Sequence, residues 1–301
     1  MDRVRKGFLT PRGNHGLIMN QQIGRYEMTL VDQINEAAGF VRTKTKMTPE
    51  IGIILGTGLG KLGEKITVET TISYEQIPHF AVSTVEGHAG RLIFGTLSGK
   101  KVVAMQGRFH FYEGYSMEQV TFPVRAMKAL GIKVLIVCNA TGGLNPQFKK
   151  GDMVLITDHI NFQGQNPLLG RNDDRLGPRF PDMYNCYDKD LLNLAEETAL
   201  KLGYKVNRGV YVGVTGPNLE TAAEYRMLRT MGGDQVGMST VPEVIVARHQ
   251  GTKVLGVSII TDMGLPDHLE PCSHEKILAS ADMAEPKMTE LIAAVIERMQ
   301  L

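Results

Sequence analysis

Short apolar runs of strand length recur along the chain and limit what it can fold into. They are IGIIL at 51–55, KVVAM at 101–105, KVLIVC at 133–138, MVLIT at 153–157, GVYVGV at 209–214 and KVLGVSII at 253–260. Most are continuously apolar, which is typical of strands buried on both faces of a sheet. Segments with helical spacing lie between several of them, at 121–131, 191–203, 221–232 and 274–299. This order predicts a single α/β domain with a central mixed, mainly parallel β-sheet flanked by helices.

The first 25 residues differ from the rest of the chain. They are basic, contain Pro and Gly, and lack the apolar block of a secretory signal. No linker, repeat or change of composition follows them. We therefore expect residues 1–25 to be a flexible N-terminal extension and residues 26–301 to form one catalytic domain.

Charge and cysteine content argue against several classes of protein. The 33 Lys and Arg residues balance 32 Asp and Glu residues without a basic stripe, which disfavours nucleic acid as a partner. No apolar run approaches the roughly 18 residues of a membrane span, so no membrane partner is expected. Cys138, Cys186 and Cys272 lie far apart without a CxxC pattern. This disfavours both a disulfide framework and a zinc site, and it indicates a reducing, cytoplasmic setting.

Glycine-rich segments follow two of the predicted strands, GTGLGKLG at 56–63 and CNATGGLNP at 138–146. Ligands of such sheets bind at the carboxyl ends of the strands, where these segments stand. Glycines let backbone N–H groups converge on an anion, and Thr57 adds a hydroxyl group. The first segment is a weak match to the dinucleotide pattern and does not fit the Walker pattern, because Leu62 follows Lys61 and the earlier glycine is missing. It is either a phosphate cradle or a tight turn.

The segment QGRFHFYEGY at 106–115 alternates polar and aromatic residues. If it is extended, Arg108, His110 and Tyr112 share one face, and Phe109 and Phe111 share the other. The polar face is then either an ordinary solvated strand face or one wall of a binding site.

Three further motifs have an ordinary structural explanation when each is taken alone. EGHAGR places His88 in a loop, and TGPNLETAAEYR places Glu220 in the first turn of a predicted helix, after a capping Thr or Asn. GMSTVPE lacks the second glycine of a nucleophile elbow around Ser239, which disfavours a serine hydrolase. No HExxH or clustered His/Asp set suggests a catalytic metal. Together the loop donors favour a pocket for an anion beside a polar ring.

Eight motifs in order give the chain a family resemblance: GTGLG, EGHAGRLIFG, QGRFHFYEGY, NATGGLNP, RFPDM, TGPNLET, GMSTVPEVIVARH and SHEKIL. From about residue 26 to the C-terminus the sequence resembles the trimeric purine nucleoside phosphorylase family. The resemblance implies reversible phosphorolysis of purine (deoxy)ribonucleosides to free base and (deoxy)ribose 1-phosphate, for purine salvage. It also implies inorganic phosphate as co-substrate, no metal or other cofactor, and a homotrimer.

The resemblance also assigns roles to individual residues. By similarity, phosphate would be held by Thr57, His88, Arg108, His110, the Ala140 backbone and Ser239. The sugar would contact Tyr112, Met238 and His274. The base would face Glu220 and Asp262, with Leu219, Val236 and Gly142 nearby. The residues expected to be catalytic are His110, Glu220 and Asp262, and Phe180 would reach into the site of the neighbouring subunit.

Asp262 departs from the family pattern. Members that act on 6-oxopurines usually carry Asn there, whereas the related methylthioadenosine phosphorylases carry Asp. An ionised carboxylate repels the O6 lone pairs of hypoxanthine or guanine and accepts from a 6-amino group, whereas Glu220 accepts from N1–H of a 6-oxopurine. We expect 6-oxopurines to be preferred through a protonated or reoriented Asp262, with adenosine accepted better than by an Asn enzyme. Leu219 replaces a common aromatic residue, so stacking on the base should be weaker.

Two other functions stay open at this point. Asp262 favours a methylthioadenosine or adenosine phosphorylase, which Glu220 opposes and which His274 opposes as well because it suits a free 5′-hydroxyl group. A nucleoside- or phosphate-binding protein without activity is the non-enzymatic alternative, which the intact Arg108 and His110 oppose.

Overall fold

In a computed structural model of the protein, the described residues are 28–56, 58–84 and 89–301. The predicted extension 1–25 and its boundary with the domain lie outside the described residues, as do Thr57 and His88. The six α-helices described are α1 (Leu30–Lys44), α2 (Met117–Leu130), α3 (Lys189–Lys201), α4 (Ala222–Thr230), α5 (Val241–His249) and α6 (His274–Arg298). The nine β-strands described are β1 (Ile51–Leu55), β2 (Thr67–Ser73), β3 (Arg91–Leu97), β4 (Lys100–Gln106), β5 (Val134–Gly143), β6 (Met153–Asn161), β7 (Val206–Gly213), β8 (Gln235–Gly237) and β9 (Lys253–Met263).

The strands form one mixed sheet in the order β2-β3-β4-β1-β5-β8-β7-β6-β9, and β5 also pairs with β9. The second pairing closes five strands into a ring. β1 lies parallel to both β4 and β5, and β5 lies parallel to β9. The carboxyl ends of these four strands therefore meet at one edge of the sheet, which is where ligands of α/β sheets bind.

The helices cover the sheet, as the amphipathic segments predict. α1 packs on α2, α2 packs on α5, and α6 packs on both α3 and β9. All residues of β1 are buried, in agreement with its continuous apolar sequence. None of the helices in the described residues is long and apolar enough to cross a membrane. The three cysteines are free thiols.

The predicted α/β fold is confirmed, and each of the six apolar runs and four helical segments lies in an element of the predicted type. Five elements are additional: β2, β3, β8, α1 and α5. β2 is mostly exposed and polar, so it lacks the apolar residues by which strands are recognised in a sequence. α5 is buried on nearly all sides, so it lacks the single apolar face by which surface helices are recognised.

Candidate active site

A cavity of about 350 Å³ opens where β4, β1, β5 and β9 end. Twelve of the residues expected at the site line it: Arg108, His110, Tyr112, Ala140, Gly142, Leu219, Glu220, Val236, Met238, Ser239, Asp262 and His274. They come from segments far apart in the sequence. The shared edge of the sheet therefore brings the predicted groups together.

Among the described residues that were expected at the site, Phe180 is the one that does not line the cavity. Its side chain is 87% exposed, and the guanidinium carbon of Arg179 lies 5.7 Å from the centre of its ring. Tyr225 and Thr261 line the cavity although no motif pointed to them. Tyr225 lies within the segment TGPNLETAAEYR, but no role was assigned to it from the sequence.

Arg108 is almost fully buried at one wall of the cavity, with 1% of its surface exposed. Its Nη1 atom lies 3.3 Å from Ser239 Oγ and 3.2 Å from the Glu243 carboxylate, with which it forms a buried ion pair. Its Nη2 atom donates to the Cys138 carbonyl. These contacts hold the guanidinium rigidly, and a planar fork of donors is suited to an anion with several oxygens.

Gly56 makes this position of Arg108 possible. A Cβ atom at residue 56 would lie 2.8 Å from the Cys138 carbonyl oxygen and 3.2 Å from Arg108 Nη2. Any side chain would therefore push the arginine away from the end of β5. The first glycine of the 56–63 segment serves this close approach.

The segment 106–115 is not the extended strand expected from its alternation. β4 ends at Gln106, and residues Phe111–Glu113 form a 3-10 turn that the left-handed Gly114 ends, with φ 93°. The turn forms because the Glu113 carboxylate accepts from the His110 backbone N–H at 2.7 Å. Phe109 is buried against Tyr74, but Phe111 is only half-buried in the turn.

The expected shared face nevertheless exists. His110 and Tyr112 stack with ring centres 4.7 Å apart, and both line the cavity with Arg108. Glu113 lies 3.2 Å from His110 Nδ1. Because an ionised carboxylate can only accept, Nδ1 carries the proton of this hydrogen bond. Burial raises the pKa of Glu113, but hydrogen bonds from His110 and Thr84 outweigh it and lower that pKa to about 2. The carboxylate therefore stays ionised and keeps the ring oriented.

Glu220 is not a residue of the first turn of the helix. Thr221 is the N-cap of α4, in a capping box with Glu224, so Glu220 precedes the helix. It lines the cavity together with Tyr225. Burial, and to a lesser degree the nearby Asp262, raises the pKa of Glu220.

Asp262 is aimed into the cavity by an irregularity of β9. The register between β5 and β9 shifts so that Gly142 stands opposite Asp262 rather than Thr261. Such bulges occur beside active sites because they redirect side chains. Burial raises the pKa of Asp262, although the Thr261 hydroxyl, which donates to Oδ1 at 2.9 Å, works in the opposite direction.

The walls of the cavity therefore differ in chemistry. Arg108 and Ser239 offer donors to an anion, whereas Glu220 and Asp262 offer two carboxyl groups with raised pKa values. Perturbed carboxyl groups in a cleft are typical of catalytic sites. The arrangement can hold a small anion and a polar ring at the same time.

Comparison with known proteins agrees with this site. The profile described as "Phosphorylase superfamily" matches residues 50–297. The chain is 54% identical over 269 residues to purine nucleoside phosphorylase 1 of Bacillus subtilis (strain 168), covering 89% of this chain and 99% of that protein. It is 47% identical to the purine nucleoside phosphorylase of Rattus norvegicus, covering 88% of this chain and 94% of the relative.

A solved structure shows the same fold. The crystal structure of Schistosoma mansoni purine nucleoside phosphorylase in complex with inosine superposes with a TM-score of 0.86 at 45% identity, covering 90% of this chain and 98% of that one. Sequence and fold agree over nearly the whole length of each relative. The chain therefore belongs to the phosphorylase superfamily and, within it, to the purine nucleoside phosphorylases.

Proposed function

We propose that this purine nucleoside phosphorylase prefers 6-oxopurine nucleosides such as inosine and guanosine, and that it serves purine salvage in the cytoplasm. The observation that carries the proposal is the presence of Arg108 and Glu220 in one cavity. An arginine fork suits phosphate, and a carboxylate accepts from N1–H of a 6-oxopurine, a proton that adenine lacks. Related structures from Schistosoma hold hypoxanthine, inosine, guanosine and, in one case, adenosine.

In this proposal, phosphate binds to Arg108, His110, Ser239 and the Ala140 backbone, with Thr57 and His88 completing the set. The sugar lies against Tyr112, Met238 and His274. Cleavage passes through an oxocarbenium-like sugar, as in other glycosyl transfers. A phosphate dianion held beneath C1′ stabilises that positive charge and then attacks it, so positioning and electrostatics supply most of the rate enhancement. No protein nucleophile, metal or further cofactor is needed.

Loss of the purine requires that negative charge on its rings be neutralised. Glu220 accepts the N1–H hydrogen bond, and Asp262 donates a hydrogen bond toward O6 or N7 when it carries a proton. The raised pKa of Asp262 supports the donor role, because burial favours the protonated carboxyl group. Leu219, Val236 and Gly142 border the base.

A phosphate-dependence assay tests the reaction directly. Purified enzyme should release hypoxanthine from inosine only when orthophosphate is present, and ribose 1-phosphate should form in equal amount. Equal release in phosphate-free buffer would show hydrolysis instead. No release under either condition would favour a binding protein.

The base preference should depend on pH through Asp262. As pH rises through the raised pKa of Asp262, the carboxyl group loses its proton, so it stops donating to O6 and starts accepting from a 6-amino group. This change raises the adenosine/inosine ratio of kcat/KM with pH. Glu220 titrates too, and its ionisation favours inosine, so the native enzyme must be compared with Asp262→Asn. The ratio should be lower in Asp262→Asn, and the difference should grow with pH.

Measurement of kcat/KM for inosine, guanosine and adenosine between pH 5 and 8, in both proteins, checks this prediction. Identical adenosine/inosine ratios in the two proteins at every pH would contradict it. A methylthioadenosine or adenosine phosphorylase is the second candidate because Asp262 occupies the base wall. A higher kcat/KM for methylthioadenosine than for inosine in the native enzyme would favour that candidate.

We also propose that the enzyme is a homotrimer in which Phe180 completes the neighbouring site. The exposed apolar side chains Phe180, Leu169 and Tyr184, which are 87%, 71% and 80% exposed, lie in the loop region after β6 and favour contact with another subunit. The assignment of residues 26–301 as the catalytic domain stays a prediction.

Phe180→Ala is expected to raise KM for inosine about 10-fold without changing KM for phosphate, because truncating one aromatic interface contact typically costs a few kcal/mol or less. Steady-state kinetics and light scattering of both proteins measure this. Leu200→Ala is the control, because Leu200 is an exposed apolar residue of α3, outside this loop region, that does not line the cavity. A monomeric native enzyme, or unchanged KM in Phe180→Ala, would contradict the shared site.

A further inference from the structure

Thr240, which follows Ser239 at the start of α5, has an unusual backbone conformation. Its φ is 71° and its ψ is −53°, and the Val241 N–H donates to the Ser239 carbonyl at 2.7 Å across it. This is a γ-turn with a positive φ at its centre, a strained form that is rare for a β-branched residue. Strained residues of this kind cluster at functional sites.

The side chains in the first turn of α5 also make unusual hydrogen bonds. The sequence Thr240-Val-Pro-Glu243 has the spacing of a capping box, yet no capping hydrogen bond forms. The five other α-helices in the described part of the chain all have an N-cap side chain that accepts from the helix backbone. In α5, both side chains turn instead to Arg108 Nη1, at 3.3 Å from Thr240 Oγ1 and 3.2 Å from Glu243 Oε1.

Counting donors and acceptors fixes the proton of the Thr240 hydroxyl group. Its oxygen accepts from Asn139 Nδ2 at 2.8 Å and faces Arg108 Nη1, whose two N–H groups are shared among Thr240, Ser239 and Glu243, so both of these partners are donors. A hydroxyl group has two acceptor sites and one proton. The proton therefore goes to Ser239 Oγ, its remaining partner, at 3.2 Å.

The same count then applies to Ser239. Its Oγ atom accepts from Thr240 and faces Arg108 Nη1 at 3.3 Å, and arginine can only donate. Neither partner behind Ser239 can therefore accept its proton. Its own proton is left to point into the cavity that Ser239 lines.

We infer that Thr240 is a positioning residue that makes Ser239 a hydrogen-bond donor to phosphate and holds Arg108 in place. This inference rests on the proposed phosphate site. Glycine would adopt the positive φ of residue 240 more easily than threonine does. A requirement for the hydroxyl group explains why a fully buried threonine stands there instead. Glu243 supports the same arrangement by pairing with the guanidinium.

A series of substitutions at Thr240 separates the hydroxyl group from the backbone shape. Thr240→Ser keeps the hydroxyl group, Thr240→Val keeps the shape of the side chain without it, and Thr240→Gly keeps only the ability to adopt a positive φ. KM for phosphate should rise about 10-fold or more in the Val and Gly variants, since a hydrogen bond that directs a donor to a charged ligand is lost. KM for inosine at saturating phosphate should change less than twofold, and Thr240→Ser should resemble the native enzyme.

Two controls make the result specific. Thr29→Val removes the N-cap hydroxyl of α1, so it should lower the melting temperature and leave KM for phosphate unchanged. Combining Thr240→Val with Ser239→Ala should raise KM for phosphate no more than the larger single effect, because Thr240 acts largely through Ser239.

The outcomes distinguish this inference from the proposed function. If the native enzyme cleaves inosine without phosphate, both fail. If phosphate is required but Thr240→Gly has the native KM for phosphate, the backbone turn rather than the hydroxyl group is what matters, and only the inference about Thr240 is overturned. Fully multiplicative effects of the Ser239 and Thr240 substitutions would overturn it as well.

Discussion

Arg108→Ala is expected to lower kcat/KM for phosphate about 1000-fold, which corresponds to about 4 kcal/mol of transition-state stabilisation. The reason is that Arg108 is the buried cation of the cavity wall where phosphate is proposed to bind. Ser239 and Glu243 hold the guanidinium in place before any ligand binds. Water in the space left by the Arg108 side chain would be neither charged nor held in this way, so it could not replace the cation. Steady-state kinetics with varied phosphate at saturating inosine measure the loss.

The same substitution should destabilise the protein, and this must be separated from the kinetic effect. Arg108 and Glu243 form a buried ion pair with side chains 2% and 3% exposed, so Arg108→Ala leaves an unpaired buried carboxylate. Breaking such a pair typically costs about 3–5 kcal/mol. The double variant Arg108→Met/Glu243→Gln removes both charges and should recover much of the lost stability.

If Arg108 acts on phosphate, the double variant should fold and still be about 1000-fold impaired. Thermal unfolding of the native, single and double variants gives the stability comparison. Recovery of activity together with stability in the double variant would show that Arg108 serves folding alone. Native turnover in Arg108→Ala would refute the phosphate site itself.

Glu220→Ala is expected to lower kcat/KM for inosine about 100- to 1000-fold, because the hydrogen bond that N1–H of the leaving base donates to the Glu220 carboxylate is lost. Adenosine has no N1 proton, so its kcat/KM should fall less than about 10-fold. The preference for 6-oxopurines should therefore shrink. Kinetics with both nucleosides at saturating phosphate measure the change.

Glu224→Gln is the matched control for Glu220→Ala. Glu224 lies in the first turn of α4, which begins just after Glu220, is exposed and accepts from the Thr221 backbone N–H. Gln can take the place of Glu in a capping box, so Glu224→Gln should change the stability by less than about 1 kcal/mol and leave the inosine/adenosine ratio unchanged. An equal loss for both nucleosides in Glu220→Ala would indicate a general role of Glu220 rather than recognition of N1.

Several parts of the fold could be predicted because the physical cause lies within one segment. The runs 51–55 and 134–138 are apolar throughout, as is typical of strands buried on both faces in a chain with helices between them. Other parts could not be predicted. The segment 106–115 alternates like a strand, but the hydrogen bond from His110 to Glu113 folds it into a turn, and alternation alone carries no sign of that bond.

The functional site, like the fold, could be predicted only in part. The family resemblance indicated the twelve described residues that line the cavity, and the chemistry of the loop residues by themselves favoured only an anion pocket beside a polar ring. Taken alone, the motif around Glu220 was equally that of an ordinary first-turn residue, an alternative that only the N-cap at Thr221 removed. The sequence also suggests a capping box at Thr240 and Glu243, and only the packing of α5 against Arg108 shows those side chains turned to the site.

The sequence by itself determined the α/β class, the family and the set of polar groups available for catalysis, because these depend on residue types and their spacing along the chain. Only the tertiary structure decided how those groups are oriented. The register shift that aims Asp262 and the contacts that lock Arg108 both depend on partners distant in sequence. Orientation is a property of packed neighbours, and packing forms only when the sheet brings the separate segments together.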